Sequence, residues 1–110
     1  RGSAIISSVH LPGMPGEEEL AALARRLREY GDIPKIIVTP ASRKDVLALL
    51  RFTLEGEKPI CTGVLGEKYR HARVLLALYG SELVYCHAGV PAAPGQYPVH
   101  VMKELLDALA

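Results

Sequence analysis

Four short apolar runs rich in β-branched residues, at 4–9, 33–39, 59–64 and 82–87, alternate along this chain with four longer segments of helical period. Each run has strand length, and each starts about 23 to 29 residues after the one before, the repeat of a right-handed βα unit. The spacing predicts parallel strands joined by crossover helices. Strands of that kind are covered on both faces, so they read as continuously apolar and not as alternating apolar and polar. Two architectures accept four such units: an open doubly wound sheet, or part of an eightfold βα barrel whose full length is about 250 residues. With 110 residues the chain is long enough for one globular region and too short for two, so 1–110 reads as a single region.

The helices carry their own end signals. Between the first two runs Leu20, Leu23, Leu27 and Tyr30 recur at steps of three and four. Glu17, Glu18 and Glu19 load the helix start with negative charge, and Gly31 supplies a stop. Ser42 stands three residues before Asp45 as a start resembling a capping box, and Val46, Leu49, Leu50 and Thr53 make a stripe that ends at Gly56. A third helix carries Val74, Leu75, Leu78 and Tyr79 to Gly80. A fourth opens at Pro98 as its first helical residue and carries Val101, Met102, Leu105 and Leu109.

Composition removes several classes of function. Lys and Arg number 13 against 12 Asp and Glu, and the two signs are interspersed, so no basic stripe is offered to a nucleic acid. No apolar run approaches the roughly 18 to 20 residues that span a bilayer, so no membrane segment is expected. The chain opens at Arg1 with no basic-then-apolar leader, which gives no sign of secretion and leads us to expect residues upstream. Cys61 and Cys86 sit in apolar stretches without a CxxC partner, as small buried thiols do in the reducing cytoplasm, and a disulfide is not expected. The histidines at 10, 71, 87 and 100 have no HxxxH or HExxH spacing, so no metal site is expected.

In either architecture a ligand binds beyond the carboxyl ends of the strands. His10 closes the first run, Lys35 lies in the second, Gly66 with Arg70 and Arg73 comes after the third, and His87 with Pro94-Gly95-Gln96 after the fourth. The absence of a Gly-rich phosphate loop counts against a nucleotide-binding open sheet. Period-two alternation puts Lys35, Ile37 and Thr39 on one face and Ile36 and Val38 on the other, both apolar, so the Lys35 ammonium is expected to be buried. Lys35 then has two readings. Either the side chain snorkels to solvent at the amino end of the sheet, or burial favours its neutral, nucleophilic form. Bringing a lysine from about 10.4 to roughly 7 or 8 takes about 3 to 5 kcal/mol. His10 is either a loop histidine or, from an adjacent parallel strand about 4.8 Å away, the general acid and base that a Schiff-base lysine needs. His87 is open between a contact to ligand and none. Arg70, His71 and His100 read as solvated helix residues.

The segment Gly31-Asp32-Ile33-Pro34-Lys35-Ile36-Ile37-Val38-Thr39-Pro40, with the helix start from Ser42 to Leu47 after it, carries a family resemblance. So do Ser8-Val9-His10, the spacing from Leu65-Gly66 through Arg73 to Tyr79-Gly80-Ser81, and Ala93-Pro94-Gly95-Gln96. Together, and over essentially the whole chain, they resemble the carboxyl-terminal half of the type I 3-dehydroquinate dehydratases. The resemblance implies an α/β fold of four parallel βα units, corresponding to strands five through eight of a (βα)8 TIM barrel. It implies a hydro-lyase of the shikimate pathway, acting on the small molecule 3-dehydroquinate without cofactor or metal. It implies roles too: Lys35 for the Schiff base, His10 for proton transfer, Arg73 for the substrate carboxylate and Gln96 for closing a lid. It implies that the first four βα units lie outside this chain and hold the acidic partner of His10 and further arginines. Two unpaired parallel edges would remain, so an N-terminal half-barrel or a second chain, as in a homo-oligomer, is expected to cover them.

This chain departs from the family pattern at several points. Ala92 stands at the place of the lid serine, removing a hydroxyl contact of about 1 kcal/mol. Leu11-Pro12 replaces Asp-Phe after the histidine, Ala72 replaces the serine before Arg73, and Tyr85-Cys86-His87 differs from the usual strand. The residues by themselves leave two rivals: another Schiff-base lyase or aldolase of TIM-barrel type, and a noncatalytic open-sheet α/β binding domain.

Overall fold

The computed structural model of the chain describes residues 5–82, 86–87 and 97–109. The first three apolar runs become β1 (Ile6–His10), β2 (Ile33–Val38) and β3 (Cys61–Val64), one parallel sheet in the order β1-β2-β3. Helices α1 (Glu17–Leu27), α2 (Arg43–Glu55) and α3 (Ala72–Leu78) come after them in turn. Adjacent strands in sequence are adjacent in space, as consecutive βα units require. The register pairs Ser8 with Lys35 and Lys35 with Cys61, then His10 with Ile37 and Ile37 with Gly63.

Strand parity divides the sheet into two unlike faces. Ile36, Val38 and Val64 turn toward the helices and build the core with Leu20, Ala24, Val46, Leu49, Phe52 and Leu76, while Val9 packs against it from β1. Lys35, Ile37, Cys61 and Gly63 fall on the opposite face with Ser8 and His10. Ile6, Ser8 and His10 are exposed on that face.

The helix ends obey the expected chemistry. Ser42 Oγ accepts the Asp45 N–H at 3.3 Å and Asp45 Oδ2 accepts the Ala41 N–H at 2.8 Å, so the start of α2 is held from both sides. Gly80 takes a φ of +115°, which lets the Ser81 N–H donate back to the Leu76 carbonyl at 2.8 Å and closes α3. Two apolar residues read into helical stripes lie beyond their helices: α1 ends at Leu27 and leaves Tyr30 74% exposed, and Tyr79, past α3, is 47% exposed.

A buried polar chain links α2, β3 and the entry to the fourth unit. The Thr53 hydroxyl donates to the Leu49 carbonyl at 2.8 Å, so Thr62 is the donor in their 2.7 Å hydroxyl contact. The Thr62 N–H donates to Ser81 Oγ at 3.0 Å, and the Glu82 N–H donates to the Ile60 carbonyl at 2.7 Å. These bonds deliver the chain to the edge of β3 opposite β2. The strand expected over 82–87 is described only as β4 (Cys86–His87), paired in parallel with β5 (Tyr97–Pro98), a two-residue strand not foreseen from sequence. Helix α4 (Val99–Leu109) then starts one residue after Pro98. Among the described residues no helix is long and apolar enough to cross a membrane.

Candidate active site

Lys35 and His10 stand on the same face of neighbouring strands, in adjacent rows. Ser8, Lys35 and Cys61 form one row; His10, Ile37 and Gly63 form the next toward the carboxyl ends. One pleat along the strand and one strand across put their Cα atoms about 8 Å apart, which a lysine side chain and a small molecule can bridge. The expectation of a buried Lys35 is corrected, since the side chain is half-buried. Its face turns away from α1 and α2, and on β1 that face is exposed at Ile6, Ser8 and His10. Cys61, beside it on β3, is fully buried.

The loop after β1 fixes His10 in place. The Leu11 N–H donates to the Ile37 carbonyl at 2.8 Å, continuing the ladder one step past β1. Thr39 then ties the loop to the end of β2 by donating its hydroxyl to the Leu11 carbonyl at 2.9 Å and its N–H to the Gly13 carbonyl at 3.0 Å. The histidine is therefore the last residue of a strand, and its exposed ring stands at the mouth of the sheet.

Arg73 reaches the same mouth from the second residue of α3. Its Nη2 donates to the Val64 carbonyl at 2.7 Å, which holds the guanidinium at the carboxyl end of β3. Val64 lies three residues beyond Cys61, the partner of Lys35, or about 10 Å further along the sheet. Gly66, with φ of +86°, makes the turn that sends the chain from β3 back toward α3. A correction concerns Arg70: it is half-buried, with its guanidinium carbon 4.2 Å from the centroid of the Tyr97 ring, a cation–π contact between the loop after β3 and β5. His71 and His100 are exposed.

Gln96, Ala92 and the Pro94-Gly95 of the expected lid lie outside the described residues, as does the side chain of His87. Sequence reasoning missed two members of this face, Cys61 and Gly63. Both could have been found by extending the parity of Lys35 and Ile37 onto the third run, had the register been known. Among the described residues no three His, Cys, Asp or Glu are grouped to hold a metal ion.

The family profile described as Type I 3-dehydroquinase matches residues 1–110. A 3-dehydroquinate dehydratase from Methanoregula boonei is 51% identical over 109 residues, which cover 99% of this chain and 52% of that protein. Among solved structures, the 3-dehydroquinate dehydratase of Geobacillus kaustophilus superposes with a TM-score of 0.85 at 34% identity, covering 94% of this chain and 43% of that one. A type I enzyme from Clostridium difficile, solved with covalently modified comenic acid, gives a TM-score of 0.81 at 32% identity, covering 94% and 44%. The chain spans about half the length of the curated relatives it matches. Its fold is an α/β half-barrel.

Proposed function

The chain belongs to the type I 3-dehydroquinase family, and on that premise we propose that it supplies the second half of a 3-dehydroquinate dehydratase, with Lys35 and His10 as its catalytic residues. The observation that carries this reading is their placement on one face of adjacent strands, turned away from the helix-packed core and one pleat apart, with Arg73 at the carboxyl end of the next strand.

The chemistry balances with these groups alone. The neutral Lys35 amine adds to the ketone of 3-dehydroquinate, and loss of water gives an iminium that acidifies the neighbouring carbon. His10 takes the proton from that carbon, leaving an enamine. The enamine electron pair expels the β-hydroxyl, which departs as water with a proton from His10. Water then hydrolyses the conjugated iminium, releasing 3-dehydroshikimate and restoring the amine. Arg73 holds the substrate carboxylate by charge-assisted, forked hydrogen bonding. The Ala93-Pro94-Gly95-Gln96 motif supports a lid role for Gln96, which would close the site from water. The remaining wall, including the acidic partner of His10, comes in this reading from an N-terminal half-barrel in a cytoplasmic, homo-oligomeric enzyme.

Borohydride trapping with 3-dehydroquinate, read by mass spectrometry on this chain combined with the N-terminal half-barrel, is the test. The expected result is a single adduct on Lys35, lost in Lys35→Ala and retained in His10→Ala, whose turnover falls by about 10²-fold or more. No adduct on Lys35 in the completed barrel would overturn the proposal.

A further inference from the structure

Ile37 lies between His10 and Gly63 on the face that carries Lys35, and it is only 7% exposed. Its side-chain tip leans toward β3. A Cβ built on Gly63 would lie 2.9 Å from Ile37 Cδ1, closer than such atoms approach, so the tip of Ile37 occupies the space that a side chain at 63 would take. Because the strand order is β1-β2-β3, leaning onto β3 means leaning away from His10 on β1. Ile37 also stands in the row next to that of Lys35, on the side of the carboxyl ends.

We infer that Gly63 is a positioning residue: by ceding its side-chain space to Ile37, it keeps the gap between Lys35 and His10 open to a ring-sized carbonyl compound. A methyl at 63 would displace a flexible side-chain tip and not the backbone of the strand, so the cost falls on the site more than on the fold. The inference deepens the proposed function, since Lys35 and His10 are the residues it serves, and it is tested by a reaction that needs no dehydratase activity.

The probe is 4-carboxybenzaldehyde with cyanoborohydride. The lysine amine condenses with the aldehyde and releases water, and hydride from cyanoborohydride reduces the imine to a stable secondary amine. Labelling of Lys35 is read by mass spectrometry as a ratio to Lys44 and Lys103, both exposed and away from the face. Gly63→Ala is expected to lower that ratio about fivefold, and Ile37→Val/Gly63→Ala, which removes Cδ1, to restore it to within about twofold. Formaldehyde in place of the ring-sized aldehyde should show a much smaller effect. An unchanged ratio in folded Gly63→Ala overturns the inference, as does a double variant that fails to restore it. If Gly63→Ala does not fold, a double variant that folds with the wild-type ratio supports the inference, and one that stays unfolded overturns it. Failure of borohydride trapping with 3-dehydroquinate alongside normal aldehyde ratios would sink the dehydratase reading and leave this geometry standing.

Discussion

A primary amine attacks a ketone only along a narrow approach, and at Lys35 that approach is bounded by Ser8 on one side, Cys61 on the other and Ile37 above. Arg73 works differently. Its guanidinium is directed by a bond to the Val64 carbonyl, a planar geometry that a lysine ammonium cannot reproduce. Arg73→Lys in the completed barrel is expected to raise KM for 3-dehydroquinate about tenfold, with a smaller change in kcat, because charge is kept while forked carboxylate binding is lost. Steady-state kinetics would show it; an unchanged KM would remove Arg73 from the binding site. Gly31 illustrates a residue chosen for space: a Cβ there would come within 2.9 Å of the Ile5 carbonyl, at the point where Ile5 and Asp32 bond each other to start the β1–β2 ladder.

Between elements, two links of opposite kind tie α2 to its neighbours, one to β3 and one to α1. The buried one is the Thr53–Thr62 hydroxyl pair, where Thr62 donates to Thr53 and the Thr53 hydroxyl donates to the Leu49 carbonyl. Thr53→Val strands a buried donor and should cost about 1 to 3 kcal/mol in urea unfolding. Thr53→Val/Thr62→Val, which removes both partners, should recover part of that loss. A double variant less stable than the sum of the singles would contradict the assignment. The exposed link is Arg51 to Glu17, joining α2 to the first turn of α1 by two bonds of 2.9 and 2.7 Å. The hydrogen bond from Arg51, aided by its charge, holds the Glu17 carboxyl below its ordinary value. A folded-state value below the unfolded one means that the contribution is complete above the ordinary carboxylate range and is lost as pH falls through the lowered value. The stability gap between the native chain and Glu17→Gln should therefore be present at neutral pH and close on acidification, with a modest size because the pair is exposed. Urea unfolding repeated at descending pH would reveal it, and a gap independent of pH would rule the linkage out.

On the scale of the whole molecule, a sheet with a core on one face carries the proposed catalytic pair, Lys35 and His10, on the other. Ile5 is 61% exposed and Ile6 40%, at the start of an edge strand that has no outer neighbour among the described residues. Such an edge invites pairing. The chain alone is expected to self-associate with rising concentration, and addition of the N-terminal half-barrel should abolish this and slow hydrogen exchange of the β1 amides by at least about tenfold. Sedimentation and exchange mass spectrometry would report both, and β1 exchange that ignores the added half would argue against a completed barrel. The sequence by itself determined the order of units, the parallel strands, the helix ends at Ser42, Gly56 and Gly80, and the motifs around Lys35, His10 and Arg73. Those signals are written within one element or in the spacing between consecutive ones. Tertiary structure alone decided that Lys35 is half-buried, that His10 lies one row above it, that Arg70 stacks on Tyr97, and that Gly63 makes room for Ile37. Each of these depends on register between segments some 25 residues or more apart, and a one-residue slip would reverse every face. Local periodicity carries no information about that slip; the core that buries Ile36, Val38 and Val64 together does.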